Sequence, residues 1–556
     1  MTKQLLKRLS LLIVVALSAV ACSPNTEYAN VLPDKVDVVL SLDFASLAKK
    51  ADLSSAENKE LLDGFVATLK QKGAPEEVLA WADKLRSNPQ AMGVDFEQPL
   101  YAFMGIKYLD LGLVARIKDQ SKVAEFATDM VRSHNIKVEE HEQGLKTMTF
   151  CANAILAFNS KSLLLLSGHE AQHINLERVK QLFAQKAEQS FAGSNAFKSL
   201  AAGSGDIRFW GNFSAIMASL KDDNSQLAAH PSLRGLKDFP SIFNHPLYKD
   251  LSFIARLSFE AGKIVSSIEP QTDNAETLKF IKGQSEDYLK VGGTFLKSVA
   301  KNAFFVWNMS ADMGASFSKS MAQIPQLKMI LEPVKAMGYD LETIASSIKG
   351  DMTVYFNDVN MANKTIDFGI YCQLSQPEPI AQALATAAQE IVLHNQRMDS
   401  LDRVSPRYYA WSDGKVAHKR NRLPELKSTA TPGVYSCEIV SDMELLVGVK
   451  DKVFYILPAS VPLTKEQKES ILNSSYSSAI NKYPSYCLIN FEAILKHPMV
   501  AAGLSFAPDP IRSAAEELKS LETYHDKDKN MSFAELSLVT SKENSLKLIV
   551  DLLRDL

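Results

Sequence analysis

Cysteine is scarce in this chain, with five in 556 residues. None sits in a C-x-x-C pair, which excludes the common zinc-ribbon and thioredoxin-type arrangements. Cys151, Cys372, Cys437 and Cys487 fall in apolar, strand-like runs such as "TMTFCANAILAF" and "FGIYCQL". Buried free thiols are the expectation for all four. Charge of one sign is missing as well: 61 Lys and Arg stand against 64 Asp and Glu, a net charge of -3. With no basic stripe either, nucleic acid is excluded as a partner class. There is no G-x-S-x-G elbow, phosphate loop or dinucleotide-binding glycine pattern, and no motif that implies a cofactor. Beyond the N-terminus no segment is apolar for long enough to cross a bilayer.

The N-terminus carries the clearest address. "MTKQLLKR" is a basic lead and "LSLLIVVALSAV" an apolar run of signal-peptide length. "SAVACS" follows, where Ala19 and Ala21 precede Cys22 in the manner of a bacterial lipobox. Residues 1–21 are read as a signal peptide and Cys22 as the lipidated residue. Several acyl chains on one cysteine anchor durably, whereas a single chain is marginal. Residues 22–31 then form a tether, which places the folded part at the membrane of the cell envelope, with the outer membrane expected.

A chain of this length needs more than one core, and its internal repeats suggest how it divides. Four times an apolar strand ends in Asp or Asn and leads into a helix: "VDVVLSLDFASL" (Asp43), "GDIRFWGNFSAIM" (Asn212), "KNAFFVWNMSADM" (Asn308) and "PSYCLINFEAIL" (Asn490). An Asp or Asn there accepts a first-turn N–H, so all four are expected to be N-caps. "LDLGLVARI" (109–117) returns as "IDFGIYCQL" (366–374), and "NSKSLLLLSG" (159–168) returns in pattern as "VKDKVFYILP" (449–458). The order is long, short, long, short. Two duplicated halves follow, 32–297 and 298–556, built of strand, helix and antiparallel strand units. That is an α+β class rather than a regular parallel sheet.

The lipobox, the short tether, "VLPDKVDVVLSLDFASLAKKADL" and "GVDFEQPLYAF" resemble the Bacteroidetes lipoproteins of domain-of-unknown-function family 4836. The resemblance extends over nearly the whole mature chain. It implies a cell-envelope location and a fold, and no chemistry.

One stretch does suggest chemistry. In "LLLLSGHEAQHINLERVKQ", His169, Glu170 and His173 spell the H-E-x-x-H of helical zinc proteases. That motif needs both histidines on one helix face and a third ligand downstream. Here an apolar strand closing in Ser-Gly precedes it, and the helix is expected to start after Asn175. The glycine and third histidine of the metzincin continuation are absent. His134, Glu139, Glu140 and His141 could supply metal ligands only if their strand lay nearby. A zinc hydrolase on His169, Glu170 and His173 is therefore the alternative, not the main reading.

The repeat register lengthens in the second half, which marks an insertion near 395–435. It places Tyr408, Tyr409 and Trp411 beside Arg403, Arg407, His418, Lys419, Arg420 and Arg422. Aromatic faces next to cations suit a glycan or an envelope protein partner. The reading is an anchored binding or assembly module, with a purely structural envelope protein as a further alternative.

Overall fold

The computed structural model describes residues 26–554 except 54, 56–62, 65–66, 68–69, 72–78, 81–83, 85–87, 107–109, 131–135, 152–153, 169–173, 222–247, 249, 324–325, 361–362, 364, 405–406, 412–413, 419–421, 441–442 and 464–465. Helices account for 40% and strands for 34%, so the chain is an α+β protein. It forms two compact units. Among the described residues the first holds 26–274 and 540–554, and the second holds 275–539.

In the first unit the strands are β1 (Val38–Leu42), β2 (Leu100–Gly105), β3 (Asp110–Arg116), β4 (Glu139–Glu140), β5 (Lys146–Cys151), β6 (Ala154–Phe158), β7 (Ser162–Ser167), β8 (Ile207–Asn212), β9 (Ser252–Glu260) and β10 (Lys263–Gln271). They pair antiparallel throughout, in the order β4-β5-β6-β7-β3-β2-β1-β8-β9-β10.

The second unit contains β11 (Phe305–Asp312), β12 (Ile348–Asn360), β13 (Thr365–Leu374), β14 (Arg407–Trp411), β15 (Gly414–His418), β16 (Leu426–Ser428), β17 (Val434–Val440), β18 (Met443–Lys450), β19 (Val453–Pro458), β20 (Ser485–Ile489), β21 (Leu518–Asp526) and β22 (Met531–Leu538). Its antiparallel order is β16-β17-β18-β19-β13-β12-β11-β20-β21-β22, with β14 and β15 forming a separate ribbon.

The unit boundaries differ from the 297/298 division because of what the flanking segments touch. Helix Ala275–Glu286 runs into Asp287, whose carboxylate takes Lys319, and Leu289 donates to the Ser310 carbonyl at 2.9 Å. Those contacts hold 275–297 to the second unit. At the other end, Asn544 Nδ2 donates to the Phe259 carbonyl and Ser545 Oγ to the Lys263 carbonyl, each at 2.9 Å. The C-terminal helix Ser545–Arg554 thereby closes the first unit.

The second half of the stretch expected as a tether, 22–31, is packed structure. Residues Glu27–Val31 form a 3-10 helix, and Tyr28, Ala29, Val31 and Leu32 are buried in the first core beside Tyr101 and Phe197. Five residues are too few to show a periodicity, but their apolar side chains gain more from burial than from water.

Three of the four strand-to-helix residues accept a first-turn N–H. Asp43 takes Ser46 N at 3.0 Å, and Asn212 and Asn490 take Ala215 N and Ala493 N, each at 3.1 Å. Asn308 does not. It is fully buried within β11, where its Oδ1 accepts from Thr353 Oγ1 at 2.7 Å. The strand runs four residues further, and Asp312 caps the next helix by accepting Ala315 N at 3.0 Å.

The repeated Asp-x-Gly of β3 and β13 has a packing cause. Phe103 lies directly across from Gly112, and Tyr355 across from Gly369. A Cβ on Gly112 would stand 2.1 Å from the Phe103 ring, and one on Gly369 would stand 2.6 Å from the Tyr355 ring. Each glycine leaves room for a buried aromatic ring to lie over its strand.

Candidate binding clefts

The second unit has a cleft of about 610 Å3 where the lead-in to β11, the end of β12, the start of β13 and helix Phe491–Lys496 meet. Its lining mixes five amide and two serine side chains with three lysines and three carboxylates, set beside Phe304 and Tyr476. Several of these groups are spent on the fold. Asn357 accepts Ala300 N at 2.8 Å and donates to the Ser298 carbonyl, Asn490 caps its helix, and Gln467 Nε2 donates to Asp367 Oδ2 at 3.3 Å. His497 Nε2 lies 2.9 Å from the Val359 carbonyl, with the Phe304 ring edge-on to it. Among the described residues, the side chains of Asn302, Asn473 and Ser475 make no hydrogen bond, and Lys519 makes no ion pair. Two of the three lysines are paired, Lys301 with Glu469 and Lys496 with Glu492.

The first unit carries a cleft of about 910 Å3 at partly corresponding chain positions, the lead-in to β1, the end of β2 and the start of β3, with helix Leu176–Ala184 in place of helix Phe491–Lys496. Asp110 here stands where Asp367 stands in the other unit. Its Oδ2 holds Arg178 at 2.6 Å, which fixes the helix start to β3. Asn175 accepts Arg178 N at 2.9 Å and caps this helix, as the sequence pattern anticipates.

The inserted segment is an arm. Helix Glu378–Val404 runs for 27 residues, and the β14–β15 ribbon follows it. Asn395 is buried and closes the arm's base, exchanging two 3.0 Å hydrogen bonds with the Leu423 backbone. Asp399 and Arg422 form an ion pair one turn further out. Arg403 belongs to the helix's last turn. The ribbon register sets Arg407 opposite His418, Tyr408 opposite Ala417, Tyr409 opposite Val416 and Trp411 opposite Gly414. Arg420 and Lys419 lie outside the described residues.

His169, Glu170 and His173, like Cys22, also lie outside the described residues. Of the neighbouring candidates, His134 also lies outside the described residues. Glu139 and Glu140 make up the short β4, and His141 Nε2 is 2.7 Å from Thr147 Oγ1. Among the described residues no group of three His, Cys, Asp or Glu could hold a metal ion. Cys372, Cys437 and Cys487 are free thiols. Burial pushes the Cys372 thiol up to about 12, which keeps it protonated and unreactive.

Sequence patterns did not flag Asn302, Phe304, Asn473, Ser475 or Tyr476. They come from loops and strand ends that meet only in the fold. The nearest signal was the shared N-F-x-A-I of Asn212 and Asn490, which marks the helix bordering the cleft.

Among solved structures, the chain is similar to crystal forms IV, III and I of TP0453. Identities are 11%, 9% and 10%, with TM-scores of 0.26, 0.26 and 0.24. The alignments cover 44%, 47% and 45% of this chain and 79%, 86% and 80% of those chains. A likeness of that size carries no inference about function. No curated protein matches the sequence. A family model does match, over residues 28–414, ending at the start of β15 rather than running on to the C-terminal strands. That span is more than half of the chain, which therefore belongs to the family described as Domain of unknown function (DUF4836).

Proposed function

We propose that the protein is a lipid-anchored module of the cell envelope that binds a neutral, hydroxyl-rich ligand, a glycan, in the cleft of its second unit. One observation carries this reading. Asn302, Asn473 and Ser475 line a cleft of ligand size with their hydrogen-bonding groups unused, beside the rings of Phe304 and Tyr476. Each amide offers two donors and an acceptor, and each hydroxyl one donor and two lone pairs, which suits a polyol better than an ion. Aromatic faces next to such groups suit the apolar side of a sugar ring.

Anchoring through Cys22 at the outer membrane belongs to the same proposal. Its support is the Ala19, Ala21, Cys22 pattern and the spacing in sequence, four residues, between Cys22 and the packed turn Glu27–Val31. Such a gap reaches roughly 15 Å when extended. A duplicated architecture of four units, long-short-long-short, is part of it as well. The common strand order and the paired Asp110, Gly112 and Asp367, Gly369 positions support that descent.

The test is titration calorimetry of the chain from Ser23 onward against a panel of neutral oligosaccharides. Saturable binding by at least one, weakened roughly five- to tenfold by Asn302→Ala or Asn473→Ala, is expected from the loss of one or two hydrogen bonds. No binding across the panel, or binding indifferent to both variants, would overturn the cleft assignment.

A further inference from the structure

We infer that the arm of the second unit, through its β14–β15 ribbon, docks end-on against an anionic lipid surface. This rests neither on the glycan reading nor on acylation of Cys22, since it concerns other residues of the chain.

Charge along the arm points to an anionic partner. From 397 to 424, seven lysines and arginines stand against three carboxylates, whereas the whole chain carries a net charge of -3. Arg422 is committed to Asp399 near the base. Further out, β14 and β15 contain Arg407, Lys415 and no carboxylate. Asp413 is the single carboxylate between 403 and 424.

The order of residues along the ribbon selects a membrane among anionic partners. The register places Arg407, Tyr409 and Trp411 on one face with His418, Val416 and Gly414. Tyr408 and Ala410 share the other face with Ala417 and Lys415. Aromatic residues thus occupy both faces, and a partner seated on one face would cover only one set. A surface met end-on covers both. Along β14, Tyr409 follows Trp411 roughly 7 Å back, and Arg407 roughly 13 Å back. The polar zone of a bilayer leaflet is roughly 5–7 Å deep. With Trp411 at the acyl boundary, Tyr409 lies among the headgroups and Arg407 meets their phosphates. A lysine such as Lys415 has the length to reach back to the same level.

The ribbon's backbone is a second observation. Among the described residues β14 and β15 pair only with each other. A two-stranded ribbon is marginal in water by itself, so a surface that takes up both faces near the turn stabilises it. Contact of this kind is released by salt, unlike an acyl anchor.

Flotation of the chain from Ser23 onward, which has no acyl anchor, tests this. The vesicles are phosphatidylglycerol and phosphatidylcholine in equal parts, or phosphatidylcholine alone. The expected result is binding to the anionic vesicles, roughly tenfold weaker on the neutral ones and lost at high salt. Arg403→Gln with Arg407→Gln should weaken it roughly tenfold or more, at about fivefold per cation. Brominated lipid should quench the indole fluorescence of the bound protein. Trp411→Phe, which leaves Trp81, Trp210 and Trp307 in place, should remove that quenching. Asn302→Ala should leave vesicle binding unchanged, which separates the arm from the glycan cleft. No vesicle binding would overturn the inference, as would equal binding to both compositions. Quenching that survives Trp411→Phe would put the lipid contact elsewhere and overturn it too. Binding to polygalacturonate that depends on Trp411, with none to vesicles, would assign the arm to an acidic polymer instead.

Discussion

Replacing Gly112 by alanine tests the ring-over-glycine packing that both units share. The added Cβ would lie 2.1 and 2.2 Å from two atoms of the Phe103 ring, where ordinary contact begins at 3.4 Å. The ring must retreat by about 1.3 Å, the difference between 3.4 and 2.1 Å. Phe103 is 3% exposed and set in the first core, so its retreat disturbs buried neighbours. Overpacking of this kind costs about 1–3 kcal/mol. Removing glycine's excess unfolded-state freedom returns about 0.5–1 kcal/mol. A net loss of about 1–2 kcal/mol is expected, or a fall of roughly 2–8 °C in the unfolding temperature for a unit of this size. Urea-dependent hydrogen exchange read by mass spectrometry assigns the loss to peptides of the first unit. The control is Gly283→Ala in helix Ala275–Glu286, where nothing lies within 4 Å of the new Cβ. That change should stabilise by about 0.5–1 kcal/mol. Phe103→Leu should relieve part of the Gly112→Ala penalty. If Gly112→Ala unfolds with the wild type, the packing argument is wrong.

Asp206 should make the first unit acid-labile. Its side chain is 4% exposed, and burial alone would raise its pKa. Hydrogen bonds from Lys50, Ser46 and the Phe259 N–H outweigh that and hold it below the usual carboxylate range. A depressed pKa contributes stability above the unfolded value near 4, lost as pH falls through the folded value. Asp206→Asn should therefore cost about 2–3 kcal/mol at neutral pH, less than a fully buried pair because Lys50 is 30% exposed, and flatten the acid dependence of urea unfolding. An unchanged pH profile would contradict the assignment. Cys22→Ala should move the protein from the membrane to the soluble fraction and abolish labelling by radioactive palmitate. Persistence in the membrane fraction would point to another anchor. Protein purified without chelator should hold far less than one zinc per chain by mass spectrometry. About one zinc per chain, lost on His173→Ala, would instead support the hydrolase alternative.

The sequence made local patterns readable and non-local ones invisible. "LDLGLVARI" and "IDFGIYCQL" align in a register that the strands keep: Asp110 opens β3, Asp367 is the third residue of β13, both line the clefts, and Gly112 and Gly369 face aromatic rings. Matching 159–168 with 449–458 fared less well, by one residue. Leu164 and Leu166 are buried in β7, yet their counterparts by burial are Tyr455 and Leu457, not Phe454 and Ile456. The turn from β18 to β19 joins Lys450 to Val453, whereas that from β6 to β7 joins Phe158 to Leu163, so equal loop lengths could not be assumed. A slip of one residue exchanges the faces of a strand. Asn308 misled for a related reason, since "WNMSAD" contains three cap-forming residues, Asn308, Ser310 and Asp312, and only pairing with β12 shows that the strand reaches the last. The cleft residues had no sequence signature because loops from 302 to 475 meet there only after folding.

The central claim is that this protein binds a hydroxyl-rich ligand through its second unit. Hydrogen–deuterium exchange on the chain from Ser23 onward, with and without the best-binding oligosaccharide, tests it most directly. The account predicts protection in peptides covering 300–304, 473–476 and 490–497. Protection confined to the arm at 396–422, or none anywhere, would contradict it.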